Sequence, residues 1–582
     1  MLNRESVKRS VPRIFLFATP LILGLHIDDL LAADAGQQLN QIERIQDQKE
    51  PLRAPPTIET EKPTSRLLQE GVRATFTQFV FEGNHLFTSA QLQDYLKEYL
   101  NREITFDELK LAVDSLTIYY KEHGYLGTAT LPRQDIGDGS VRIVIVEAKF
   151  GSAKVDVDPS ISYRVKPEIV QRFIEANNPS GEVLNLKTLD RAALIANELP
   201  GIGIIQSLRT GTKEGETDAL LKVSNSAAYL ASVSTDNYGF HSTGPVRYLA
   251  NGSLLSPLNI GDRLDLTYLY TTGNNYGRVA YSRPVGYSGF RLGMNASALK
   301  YEVVAGAGAS LKPEGSAETI ELEASYPTIR TRTLSVTSNA SLEAKHFRNT
   351  STNGVESNYL VHLFSLGNSL NHRNTLTFAG ETSASIDLDL GYADYSNSPT
   401  TFSDGKAAQD VNGQFSRLRW NLNNTQFFNE TISSVIKFNG QLTDSNLDSS
   451  QKFYLGGASG VRAYPSSEGG GSEGFLVNLE LHKELPANLT LVGFYDYGFA
   501  RQYVDNTNKI TGAANATGRN GFNMKGYGAS LEWRGDLGKI RPTVSLVWSR
   551  RIGNNPNPQA DGTDSDGSEP GNFYWINGSI NF

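Results

Sequence analysis

A chain of 582 residues without a cysteine cannot use disulfides, thiolate nucleophiles or cysteine-ligated metals, and its length exceeds one small module. The formal net charge of −8 argues against a nucleic-acid partner. The missing thiols also suit an oxidising compartment.

The chain opens on a secretory pattern. Arg4, Lys8, Arg9 and Arg13 precede an apolar run at 14–25, and Ala33-Asp34-Ala35 supplies a small-x-small cleavage site. The run is shorter than the roughly 20 residues a spanning helix needs, so 1–35 is expected to be a signal peptide. No later run is long and apolar enough to span as a helix, which leaves a soluble secreted protein or a membrane barrel. Residues 36–50 predict a polar helix whose apolar stripe is only Leu39, Ile42 and Ile45. So polar a helix needs wet surroundings or a polar cavity. Residues 51–73, with Pro51, Pro55, Pro56 and Pro63, predict an extended linker.

Residues 74–148 predict a β-α-α-β-β unit. A strand at 76–81 leads to a stripe of Leu92, Tyr95 and Leu96. A second helix opens on Thr105 and Glu108 at capping-box spacing and stops at Gly124. Strands follow at 128–131 and 141–147. Residues 149–225 repeat the order: a strand at 149–155, helices at 167–175 and 186–199, strands at 204–209 and 219–223. Two copies of one small plan, with no phosphate loop and no clustered histidines and acids, predict binding modules rather than enzymes. Their open sheet edges can accept an added strand.

From 226 to 582 short alternating segments take over. Leu264, Leu266, Tyr268 and Tyr270 share one face, as do Leu292 and Met294, and Val544, Leu546 and Trp548. At roughly 22 residues per strand and connection, this stretch predicts a membrane barrel of about 16 antiparallel strands. Long polar connections at 395–413, 502–523 and 554–572 alternate with tight ones such as 286–289. A soluble all-β protein would also alternate, but the aromatic spacing and the final Phe582 favour the barrel. Late in this region stands Gly456-Gly457-Ala458-Ser459-Gly460-Val461-Arg462-Ala463-Tyr464-Pro465, followed by Phe494-Tyr495-Asp496-Tyr497-Gly498. One arginine and one acid inside a barrel point to an internal latch, not a catalyst. An arginine on a solvated outer loop fits the residues equally well. Asp561, Asp564, Asp566 and Glu569 miss the register of a calcium loop. No metal or cofactor is expected.

In this order the parts resemble a two-partner secretion transporter, the family that exports haemolysins, filamentous adhesins and haem-binding exoproteins. The resemblance rests on Asn197-Glu198-Leu199-Pro200-Gly201-Ile202, Tyr281-Ser282-Arg283-Pro284-Val285-Gly286, Ala324-Ser325-Tyr326-Pro327, and Phe453-Tyr454-Leu455-Gly456-Gly457 leading into the arginine loop. It implies a plug helix at 36–50, two polypeptide-transport-associated (POTRA) domains in the periplasm, and an outer-membrane barrel. It implies that Arg462 folds into the lumen to meet Asp496, that Phe494 and Gly498 mark the partner strand, and that Phe582 is the C-terminal strand signal. Ala463 stands where glycine is commoner, which predicts a stiffer tip. The implied partners are an unfolded exoprotein, outer-membrane lipid and, during biogenesis, the barrel-assembly machinery, with the transporter a monomer. The rival expectations are a barrel-assembly insertase, a passive porin and, third, a barrel-embedded hydrolase, for which no nucleophile motif exists.

Overall fold

The computed structural model describes residues 34–46 and 73–582, apart from 135–138, 307, 375–378, 517, 560–561 and 569–570. Most of the expected signal segment, positions 47–50 of the expected helix and the linker up to 72 lie outside the described residues. So do Asp561, Glu569 and the side chain of Ile45.

The first module forms where its caps place it. The Thr105 hydroxyl accepts the Glu108 amide, and the Glu108 carboxylate accepts the Thr105 amide at 2.7 Å, which starts the helix Phe106–Glu122. Gly124 ends it in the left-handed region at φ 88°. Leu109, Val113, Leu116 and Tyr120 pack on a sheet ordered Gln78–Glu82, Ser140–Glu147, Gly127–Thr130. The buried Tyr120 hydroxyl donates to Glu147 at 2.8 Å. Burial and that bond hold its pKa well above the usual tyrosine range, so it stays a donor. The first strand begins later than expected, because 73–75 pairs separately with Glu103–Thr105. Tyr95 lies off the buried stripe and packs on Tyr119, 4.6 Å between rings.

The second module repeats the order. Strands Lys149–Asp156, Glu216–Asn225 and Ile202–Thr210 form its sheet in that sequence, with helices Pro167–Glu175 and Leu186–Asn197 packed on it. Main-chain bonds tie the modules together: Ala148 donates to Leu126, Leu184 to Ala148 and Leu186 to Gly124, each at 2.8 Å.

Among the described residues, sixteen antiparallel strands from Tyr229–Asp236 to Asn572–Asn581 close into a barrel. The seam pairs Asn577 with Asp236 and Asn581 with Ser232, and the Phe582 amide donates to Ala231 at 2.9 Å beyond it. The Phe582 ring is exposed. Period two carries the architecture. Leu266, Tyr268, Tyr270, Leu292, Met294, Leu546 and Trp548 face outward, the apolar band that such a barrel presents to lipid. The hairpin at 286–289 is tight, whereas the connection at 395–412 holds a helix of its own, Thr400–Ala408.

The lumen wall departs from a plain polar lining. Leu269, Leu299, Phe347, Tyr359 and Val361 point inward and are buried. They are covered by the N-terminal helix Ala35–Gln46, which lies inside the barrel and buries Ala35, Leu39 and Ile42 against them. This helix begins inside the segment expected to be a signal peptide. Asp34 caps it, with the Gln37 amide donating to its carboxylate at 2.7 Å.

Candidate functional site

The connection at 444–472 leaves one barrel strand, folds into the lumen and returns to the next. Its turns need glycine at two points. A Cβ on Gly460 would lie 2.0 Å from the Leu455 carbonyl, and Gly457 takes φ 114°. The Val461 amide donates to Leu455 at 2.7 Å and closes the tight tip. Leu455, Val461, Ala463 and Tyr464 then pack with Leu476, Ala500, Phe522 and Met524 in a small apolar core. Pro465 is buried beside them, and Gly456 is pressed against its carbonyl. The far side of the loop is fixed too: Gly470–Gly471 pairs with Phe453–Tyr454, so the glycine-rich tail is ordered.

The strands Glu473–Leu485 and Leu489–Arg501 present the acids. Their register sets Asn478 opposite Asp496 and Glu480 opposite Phe494, all turned inward while Leu479, Leu481 and Tyr495 face out. Arg462 reaches this face. Its Nη2 and Nε donate to the two Asp496 oxygens at 2.7 and 3.0 Å, and its amide donates to Asp496 Oδ2 at 3.0 Å. Its Nη1 lies 2.9 Å from Glu480 Oε1. The guanidinium stacks on the Phe494 ring, 3.5 Å from its centroid. Asn478 donates to Asp496 at 2.7 Å and to the Gly460 carbonyl at 3.0 Å. Lys437 and His482 lie 3.4 and 2.9 Å from Glu480.

The opposite side of the loop is held by its backbone. The Arg462 carbonyl accepts from Ser549 Oγ at 2.6 Å and Trp575 Nε1 at 2.7 Å, on two further strands. Ala463 fits because the facing residue is Gly526, where an added Cβ would lie 2.6 Å from the Ala463 Cβ. Gly498 leaves room for Leu455 and Val461 in the same way. Arg551 covers the Tyr464 ring at 4.3 Å. The Arg462 side chain is 11% exposed and Asp496 is fully buried, so this is not a solvated surface pair.

The reading from sequence gave the arginine one acid. Glu480, Asn478, Ser549 and Trp575 were missed. The first two carried a signal: in Asn478-Leu479-Glu480-Leu481-His482 every second residue is polar, which puts those residues on the lumen face with Asp496. Ser549 and Trp575 act on a main-chain carbonyl, which leaves no pattern in a sequence.

The N-terminal helix touches the same loop. Asn40 donates to the Ser450 carbonyl at 2.9 Å, Arg44 to the Tyr454 carbonyl at 2.9 Å, and Ser449 to the Asp34 carboxylate at 2.7 Å. The Tyr238 carbonyl accepts from both Gln41 and Ser466, each at 2.7 Å. On the wall side, Glu43 pairs with Lys345 at 2.7 Å. The Tyr238 ring in turn packs edge-on against Trp575, 5.7 Å between centroids.

Such a site binds and holds; no nucleophile stands beside a general base in it. The family described as haemolysin secretion/activation protein ShlB/FhaC/HecB matches residues 215–518, and the POTRA domain of ShlB type matches 74–148. The chain is similar to the heme/hemopexin transporter protein HuxB of Haemophilus influenzae, with 27% identity over 92% of this chain and 95% of that one. Its fold is similar to CdiB from Escherichia coli, at TM-score 0.67 and 17% identity over 96% and 97% of the two chains. CdiB from Acinetobacter baumannii follows at 0.62 and 17% over 94% and 97%.

Proposed function

The chain belongs to the haemolysin secretion/activation family, the outer-membrane transporters of two-partner secretion, and we propose how its parts divide that work. Arg462, held by Asp496 and Glu480, braces the inner loop across the lumen. The helix Ala35–Gln46 is a removable plug. The partner crosses unfolded, and the modules capture it beforehand by main-chain pairing at a sheet edge. The barrel-assembly machinery inserts the protein, which then works as a monomer.

One observation carries the brace: a single guanidinium joins carboxylates from two adjacent strands while its own carbonyl is held by two more. A charge-assisted fork of that kind is strong and directional. Removing one member of a buried pair leaves an uncompensated charge, at about 3–5 kcal/mol. For capture, the strand Gln78–Glu82 is a sheet edge in the first module, beside a groove of about 660 Å³ lined by Phe79, Val80, Ala90, Gln93 and Leu100. Nothing in the chain resembles a nucleotide-binding loop, so folding of the partner outside the cell supplies the drive.

Co-expression with a neighbour-encoded exoprotein tests the whole reading. The partner is expected in the medium, and expected to stay in the cell with Arg462→Ala, although that variant still inserts. Export by Arg462→Ala at the wild-type rate would remove the brace.

A further inference from the structure

Three segments that resemble the transporter family take no part in the lumen site: 197–202, 281–286 and 324–327. In the fold they meet at one place, the joint between the second module and the rim of the barrel that faces it. The Asn197 side chain accepts the Ile204 amide at 2.8 Å and fixes the turn into the edge strand. Glu198 pairs with Arg330, whose side chain is 4% exposed. Leu199 packs on Gly261, where an added Cβ would lie 2.6 Å from its Cδ2. Gly201 turns at φ 89°, and a Cβ there would meet the Leu255 carbonyl at 3.3 Å.

The hairpin after 281–286 sends Tyr287 into the module. Its ring meets Phe173 edge-on at 5.5 Å, its hydroxyl accepts from Arg172 at 3.0 Å, and its carbonyl accepts from Asn177 at 3.0 Å. In 324–327, the Pro327 carbonyl accepts from Arg191, whose guanidinium also lies 5.8 Å from the centre of the Tyr326 ring. The same rim supplies Arg332, which grips Asp190 with a fork of 3.1 and 2.5 Å. A third hairpin contributes Asn259, which donates to the Arg164 carbonyl at 3.0 Å and accepts from the Lys166 amide at 3.2 Å.

Domains within one chain move relative to one another unless the surface between them is extensive. This joint is built against motion. One charged fork, Arg332 on Asp190, and one ion pair, Arg330 with Glu198, point in fixed directions, and an apolar side chain sits where only glycine leaves space. We infer that Asp190 and Glu198, through Arg332 and Arg330, are positioning residues for export: they dock the second module as a fixed extension of the barrel. The docked strand Ile202–Thr210, an edge of the module's sheet, then starts at the barrel rim. The inference rests on the export activity and not on which sheet edge captures the client.

Charge reversal tests it. Asp190→Arg and Arg332→Asp are each expected to lower export several-fold while the barrel inserts and its pore conductance stays as in the wild type. The combined swap is expected to restore export, a rescue that a general loss of packing would not give. Wild-type export from both single variants, or a swap that stays defective in an inserted barrel, would overturn the inference. Rigidity has its own test, because the chain has no cysteine of its own. Asp190→Cys with Arg332→Cys can be bridged by a bifunctional maleimide. Bridged protein is expected to export at least as well as unbridged protein; loss of export on bridging would mean a hinge and reject the fixed dock. Should a single reversal fail to insert, the swap and the bridged pair still decide.

Discussion

The helix and the loop share one lumen but are held by different forces. Leu39 and Ile42 bury apolar surface worth about 1.5–3 kcal/mol each, and the helix adds the Glu43–Lys345 ion pair, bonds to carbonyls and bonds to the side chains of Asn274, Asn349 and Ser449. Carbonyls and lysines left behind can be rehydrated when water fills the space. The loop instead buries a guanidinium between two carboxylates and pins its backbone with Ser549 and Trp575. Moving it strips the buried Asp496 of its guanidinium, with Asn478 left as a side-chain donor, while Glu480 keeps Lys437 and His482. On the proposed division of work, the difference separates a plug that leaves as a unit from a brace that must break a buried charge cluster to shift.

The contrast can be broken most severely at Arg462. Arg462→Ala strips the buried Asp496 of its guanidinium, while Glu480 keeps Lys437 and His482, so the loop loses about 3–5 kcal/mol of its hold. The expected result is loss of export together with protease cleavage within 455–472. Asp496→Ala is expected to act less, because Glu480 still holds the guanidinium. Exchanging the two residues recovers export only in part: Asp496 also accepts the Arg462 amide and the Asn478 side chain, and an arginine can accept neither. Export assays on the two single variants and the exchange would rank them in that order. Gly526→Ala presses a new Cβ on Ala463, an overpacking cost of about 1–3 kcal/mol that shows as a looser loop with the charges intact. Lys345→Ala has the smallest effect on export, because it acts on the helix and not on the loop. It leaves Glu43 of the helix beside Glu343 of the wall without the lysine that pairs with both, so large openings become more frequent in bilayer recordings while export is kept.

Much of the architecture was legible because it rests on period two and on caps. Leu266, Tyr268 and Tyr270 report a lipid face without help from tertiary contacts, and Thr105 with Glu108 sets a helix start by local bonds alone. The inward apolar residues were not legible. Leu269 lies on the face expected to be polar, and only a helix from the other end of the chain explains it. Arg462 and Asp496 stood out as isolated charges among glycines and aromatics. Glu480 was hidden because acids on lumen faces are common, and only the strand register brings it within reach. Asp190 and Arg332 were hidden for another reason: surface charges 142 positions apart carry no mark of their pairing.

The division of labour in the lumen is tested most directly by single-channel conductance in planar bilayers, comparing the wild type with a chain lacking 35–46. A removable plug beside a fixed brace predicts a larger, steady conductance from the shortened chain, with partner export retained. Unchanged conductance would show that the helix does not close the pore, and the distinction between plug and brace would fall.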